Sequence, residues 1–148
     1  MLTIRATALA VTACLAAPAG AATFVPNRFD DPPPGFCTAA DCSLREAVMA
    51  ADGTAALDTI ELAPGEYVLT RTTGTEPASF DLDVTTQLAV VSTAGIARVS
   101  VATGTPGPEN RAFDVDGTSL VLNGVSIAGG DVGKSDGGCG ALARRTSR

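Results

Sequence analysis

Histidine and tryptophan are both missing from the 148 residues, and aromatic residues make up only 4% of the chain. Without histidine, the chain cannot form a Ser-His-Asp triad, a Cys-His dyad or a His-ligated zinc site. Catalysis by this chain would have to depend on carboxylates, lysine, arginine or its one tyrosine.

Positive charge is also scarce. Ten Lys and Arg residues stand against sixteen Asp and Glu residues, which gives a formal net charge of −6. A nucleic-acid partner needs basic residues to neutralise its phosphates. The basic residues near the end, Arg144, Arg145 and Arg148, are not interleaved with aromatic residues. We therefore expect no nucleic-acid partner, and the length suits one domain at most.

The sequence has no apolar run of the roughly 20 residues that a membrane-spanning helix needs. The apolar stretch Ala6–Ala17 follows Arg5 and precedes the small residues Ala19, Gly20 and Ala21. This order is typical of a secretory signal peptide. We predict a signal peptide over residues 1–22, a secreted or cell-surface location and no membrane span. An alternative is a lipid anchor, because "VTAC" ending at Cys14 resembles a lipobox.

Four cysteines occur in the chain. In an exported protein, Cys37 and Cys42 are expected to form a disulfide rather than a redox or metal pair. The closed loop is short, so the bridge should contribute only about 2 kcal/mol and fix a local turn. Cys139 is then left over, and the sequence shows no partner for it.

One helix is predicted, after an extended segment. Pro32–Pro34 favour an extended path, and residues 23–35 are predicted to be a Pro-rich connector. Ser43 and Glu46 have the spacing of a capping box at the start of "SLREAVMAADG", one face of which is apolar. Gly53 is a natural end. With Glu46 explained as a cap, we expect Arg45 to face solvent or to pair locally.

Short apolar runs, separated by Gly, Asn, Asp or Thr, follow from Asp58 onward and predict strands. Pro64-Gly65 suits a type II turn. Asp116-Gly117 and Asn123-Gly124 suit either hairpins or simple bends.

The predicted strands recur at intervals of about 22 residues, as from Ile60 to Leu82, from Val90 to Phe113 and from Val99 to Val121. Such a period indicates a solenoid, in which each coil covers the apolar face of the next. The capped helix would then cover the exposed first edge. An antiparallel sandwich also has many short strands. The pattern favours the solenoid over the sandwich.

Two stretches, "CTAADCSLREAVMAAD" and "DTIELAPGEYVLT", resemble the CSLREA region of exported bacterial proteins. Farther on, "DLDVTTQLAVVSTAG" and "FDVDGTSLVLNGVSIAGG" are similar to coils of right-handed parallel β-helix proteins with a pectin-lyase-like fold. The resemblance implies an all-β chain: the start of a right-handed parallel β-helix, with a short N-terminal capping helix. It also implies export or surface display. It brings no agreed catalytic residues and no cofactor.

This resemblance divides the mature chain into segments. A disulfide-bridged helical cap is expected over residues 36–57 and the first β-helix coils over residues 58–130. Residues 131–148 have neither helix nor strand pattern and are expected to be an irregular tail. A solenoid needs a C-terminal cap, so we expect the chain to be a fragment of a longer protein. Further coils in another frame of the downstream DNA would support this expectation.

The candidate catalytic carboxylates are Asp81, Asp83, Asp114 and Asp116. Asp81 and Asp83 alternate along one strand and should share a face, where a polysaccharide lyase could hold calcium. The simpler interpretation is that they are ordinary outward-facing polar residues near turns. "DVDGTS" at Asp114 lacks the later ligands of an EF-hand loop.

Two motifs near the end of the chain are weaker. "GGDVGKSDGG" lacks the spacing of nonapeptide calcium repeats. Lys134-Ser135 lacks the preceding loop of a phosphate-binding motif. We predict no metal site and no cofactor.

Two functions remain open. The first is a non-catalytic exported scaffold, a capped β-helix start that displays loops to a surface ligand or a polysaccharide. The second is the N-terminal part of a β-helix carbohydrate-active enzyme, a polysaccharide lyase or a glycoside hydrolase, whose site lies on later coils.

Overall fold

The computed structural model describes residues 20–71, 75, 77, 81–102 and 111–130, and the backbone of residues 142–145. Within these residues the chain forms one helix and ten short strands. The helix is α1 (Leu44–Asp52). The strands are β1 (Thr23–Phe24), β2 (Asp58–Glu61), β3 (Gly65–Leu69), β4 (Leu82–Val84), β5 (Leu88–Val91), β6 (Ala97–Val101), β7 (Phe113–Asp116), β8 (Leu120–Asn123), β9 (Val125–Gly129) and β10 (Leu142–Arg145).

The strands form three sheets, each of which takes every third strand from β2 onward. Their orders are β1-β2-β5-β8, β3-β6-β9 and β4-β7-β10. All seven strand pairings within the described residues are parallel. The fold is therefore an all-β, parallel arrangement with one helix. The antiparallel sandwich is wrong for these strands.

Equivalent residues lie farther apart in sequence than expected. Ile60 is opposite Val90, and Val90 is opposite Leu122, so the steps are 30 and 32 residues. The expected interval of about 22 residues is wrong. It links Ile60 to Leu82, which belong to different sheets. Apolar alternation is alike in all three sheets, so the spacing of runs alone does not reveal which strands pair.

The core lies between the three sheets and consists mainly of alternate residues of strands β2 to β9. Ile60, Val90, Tyr67 and Val99 are buried, and Leu122 is partly buried. Each stacks on its partner in the next strand of its sheet. Burying a Val, Leu or Ile side chain stabilises a protein by about 1.5–3 kcal/mol. Three consecutive strands, one from each sheet, form a unit of the fold. One such unit could not bury these residues alone, because the neighbouring unit covers one side of each side chain.

The two Gly-containing dipeptides form bends, since the strands on either side of each belong to different sheets. Gly117 and Gly124 adopt φ values of 63° and 68°, in the left-handed region that favours glycine. At Gly124 there is a second reason for glycine. A Cβ atom there would lie well inside van der Waals contact with the carbonyl oxygen of Ser92, in the bend of the preceding unit.

The chain's one tyrosine can be used to test whether the core is buried. Burial raises the pKa of Tyr67 above its ordinary value, and its hydroxyl donates a hydrogen bond to the carbonyl of Ala63 at 3.3 Å. Folding favours the neutral phenol, so stability is lost as pH rises beyond the phenol's unfolded pKa. Ultraviolet titration should give a higher midpoint for the folded chain than for the chain in denaturant. Equal midpoints would contradict a buried Tyr67.

Candidate functional site

The N-terminus of α1 is held by a complete capping box. The amide of Glu46 donates to Ser43 Oγ at 3.3 Å, and the amide of Ser43 donates to Glu46 Oε2 at 2.7 Å. The second carboxylate oxygen of Glu46 accepts from the amide of Gly35 at 2.7 Å. Ser43 and Glu46 therefore do more than start a helix, because they also fix the Pro-rich segment against it.

A disulfide joins Cys37 and Cys42, with Cα atoms 4.3 Å apart. Cys42 is fully buried, and its carbonyl accepts from the amides of Asn27 and Arg28 at 2.9 and 3.2 Å. The side-chain oxygen of Asn27 in turn accepts from the amide of Cys42 at 3.0 Å. The bridged loop is thus tied to the segment that follows β1.

Reduction of the Cys37–Cys42 disulfide is expected to lower the free energy of unfolding by about 2 kcal/mol, the chain-entropy value for so short a loop. Denaturant unfolding with and without reductant measures this change. The Cys37→Ser/Cys42→Ser chain is the control, and reductant should not affect its midpoint. A loss above about 4 kcal/mol would mean that the bridge holds much more than its own loop together.

Arg45 is buried, with 1% of its surface exposed, and the expectation that it faces solvent is wrong. Its Nε and Nη2 atoms contact the two carboxylate oxygens of Asp31 at 2.8 and 3.1 Å. Nη1 donates to the carbonyls of Asp81 and Pro77 at 2.8 and 3.3 Å. The partners lie 14 to 36 residues away in sequence, which is why local pattern does not reveal them.

Asp31 joins the connector to the second sheet. Besides Arg45, its Oδ2 accepts from the amides of Thr70 and Arg71 at 3.0 and 3.2 Å. The Asp31 side chain is 2% exposed. Sequence reasoning missed Asp31, since it took residues 23–35 as a simple connector. A buried arginine requires an anion, but the sequence did not show that Arg45 is buried, so no signal pointed to Asp31.

The residues before β2 also cover the open side of the strand that comes first in each sheet, which is β2, β3 or β4. In the first sheet, β1 pairs with β2, and the amide of Thr59 donates to the carbonyl of Ala22 at 2.9 Å. In the second, the amide of Val68 donates to the carbonyl of Phe29 at 3.0 Å. The Phe29 ring also lies 4.8 Å from the Tyr67 ring.

The third sheet is covered by α1, which packs beside β4. The Asp52 side chain, at the end of α1, accepts from the amides of Thr85 and Thr86 at 2.9 and 3.1 Å. These contacts occupy backbone groups that an open edge would offer to other strands. We call Ala22–Phe24, Phe29–Asp31 and α1 together the edge cover.

Two of the candidate carboxylates are buried rather than exposed to solvent. Asp81 and Asp114 are buried, at 0% and 5% exposure, and both lie within ion-pair distance of the buried Arg111. Asp83 is opposite Asp114 in the register, and Asp116 is exposed. The exposed position expected for Asp81 and Asp114 is wrong, because both are buried beside Arg111, which compensates their charge.

Nothing in the described part of the chain assembles three His, Cys, Asp or Glu side chains around a metal position. The stretch containing Asp114 and Asp116 is strand β7 rather than a ligand loop. Lys134-Ser135, the glycine-rich stretch around them, Cys14 and Cys139 all lie outside the described residues, as does the predicted signal sequence before Gly20.

An open groove of about 240 Å³ lies between β1 and the disulfide loop, lined by Thr23, Phe24, Val25, Cys37, Thr38 and Ala39. It contains no charged side chain. Phe36, beside it in sequence, is 91% exposed. Among the described residues, no helix has the length and apolar character required to cross a bilayer.

Comparison with protein-family models, with curated proteins and with solved structures gave no match to this chain.

Proposed function

We propose that this chain is the closed N-terminal start of a right-handed parallel β-helix in an exported protein, and that its role is structural rather than catalytic. The edge cover is the observation that carries the proposal. One segment places a different covering element on the first edge of each of three parallel sheets. Such a cover prevents other chains from adding strands at this end.

The topology supports the β-helix part of the proposal. Each sheet takes one strand from every three-strand unit, and residues of successive units are paired one to one. This is the arrangement of a coil that rises by one strand per turn. The next units stack in the same way, with Val90 on Leu122 and Val99 on Ile127.

Export is supported by the disulfide, since such bridges persist in oxidising compartments. Export also agrees with the N-terminal pattern of a charged residue, an apolar stretch and small residues. A secreted or surface-displayed scaffold would present its outer sheet faces to a surface ligand or a polysaccharide.

The environment of the carboxylates favours a scaffold over a hydrolase or lyase within this part of the chain. Asp81 is fully buried and ion-paired with Arg111, so its charge stabilises the fold instead of facing a substrate. A hydrolase of the usual type needs two accessible carboxyl groups across a substrate site.

The test combines export with a polysaccharide panel. The full chain is expressed in a bacterium, and the exported protein is incubated with pectin and related polymers. We expect export, with no unsaturated products and no new reducing ends. Release of either product above that of a protein-free blank would overturn the non-catalytic role. Retention of the protein in the cytoplasm would overturn export.

A further inference from the structure

Asp58, the first residue of β2, is a buried carboxylate that receives only neutral donors among the described residues. It is 0% exposed. Its Oδ1 accepts from the amide nitrogen of Ala22 at 2.7 Å, and its Oδ2 accepts from the hydroxyl of Thr54 at 2.6 Å. The described ion pairs involve other residues. A buried anion without a cation is costly to the folded state.

The sequence before Ala22 offers a way to place a cation there. Ala19, Gly20 and Ala21 form the A-x-A pattern that precedes a signal-peptidase cut, and the pattern places the cut between Ala21 and Ala22. Hydrolysis of that peptide bond by water leaves a carboxylate on Ala21. It leaves an amine on Ala22, and this amine takes up a proton at neutral pH.

We propose that export processing cuts the chain between Ala21 and Ala22, and that the new α-ammonium group of Ala22 forms an ion pair with the buried carboxylate of Asp58. The nitrogen atom that already donates to Asp58 becomes the charged terminus. Processing thereby completes the fold at the junction of β1, β2 and the end of α1. This inference rests on the proposed export, and it moves the boundary expected after residue 22 by one residue.

The contacts of Ala22 distinguish this cut from its neighbours. A cut one residue later would remove the nitrogen on Asp58 and also the carbonyl that accepts from Thr59 at 2.9 Å. A cut one residue earlier would leave the Ala22 nitrogen as an uncharged amide. Gly20 and Ala21 are exposed, so their removal takes no buried side chain from the fold.

The first experiment identifies the terminus. The full chain is exported from a bacterium, and the product is analysed by intact mass and N-terminal sequencing. We expect a chain that begins at Ala22. A chain that begins at Thr23, or at lipidated Cys14, would overturn this inference and leave export intact. An uncut chain in the cytoplasm would overturn both.

The second experiment tests the ion pair. Chains that begin at Ala22 are compared with a free and an acetylated terminus, in the original sequence and in Asp58→Asn and Glu61→Gln backgrounds. Glu61 is the matched control, since it is an exposed acid at the other end of β2. Charge-assisted hydrogen bonds predict that acetylation raises the unfolding equilibrium constant about tenfold or more. That effect should persist with Glu61→Gln and vanish with Asp58→Asn.

Two results would overturn the ion pair. One is an acetylation effect of equal size in the Asp58→Asn background. The other is no effect of acetylation in the original sequence. If the Asp58→Asn chain does not fold, the free and acetylated termini are compared in the original and Glu61→Gln chains alone. This comparison still tests the ion pair, because an exposed terminus would gain little from its charge.

Discussion

Replacing Arg45 by methionine is expected to lower the free energy of unfolding by about 3–5 kcal/mol, the usual cost of removing one partner from a buried ion pair. The change leaves the buried carboxylate of Asp31 without its guanidinium and the carbonyl of Asp81 without its charged donor. Methionine keeps much of the length of the side chain, so the loss reflects charge and hydrogen bonds more than volume. Denaturant unfolding of the purified chain measures it.

The matched control is Arg98→Met. Arg98 also pairs with a carboxylate, Glu66 at 3.4 Å, but both side chains are more than half exposed. Exposed pairs contribute about 0–1 kcal/mol. Equal effects of Arg45→Met and Arg98→Met would contradict the account of Arg45 as the residue that fixes the edge cover.

Replacing Gly124 by alanine is expected to cost about 2–5 kcal/mol, because two penalties add. A non-glycine residue in the left-handed region costs about 1–2 kcal/mol, and Gly124 has φ 68°. Forcing a methyl group against packed neighbours costs about 1–3 kcal/mol more, and here the neighbour is the backbone carbonyl of Ser92. The midpoint of denaturant unfolding reports the sum.

Gly53→Ala is the control for that change. Gly53 follows α1 with φ −71°, a value that alanine adopts freely, although its Cβ would come 3.2 Å from the Ala50 carbonyl. We expect a change below about 1 kcal/mol, since surface changes without a special backbone conformation are small. A Gly124→Ala chain as stable as the Gly53→Ala chain would mean that successive bends do not stack closely.

Features set by neighbours in sequence could be predicted from the sequence. The capping box depends on Ser43 and Glu46, three residues apart, and the bridge joins Cys37 to Cys42 across a short loop. Both are visible because each needs only residue type and short spacing. The alternation of apolar residues also predicted strands where β2, β3 and β5 lie.

Features set by distant partners could not be predicted in the same way. Arg45 was expected to face solvent or to pair locally, because its anion, Asp31, lies in a segment whose prolines suggested only a connector. The strand interval failed for a similar reason. Strands of different sheets carry the same apolar alternation, and the intervening lengths vary between 28 and 32 residues. Asp81 and Asp114 were expected to be exposed because the sequence does not show that Arg111 is buried beside them.

Nuclear Overhauser effects between side chains test the stacking of three-strand units most directly. The account predicts contacts from Ile60 to Val90 and from Val90 to Leu122, because these residues are opposite one another in parallel strands. It also predicts that the amide of Val68 exchanges slowly, since it donates to Phe29 of the edge cover. Backbone contacts that instead pair β2 with β3, or β5 with β6, as antiparallel hairpins would contradict the account.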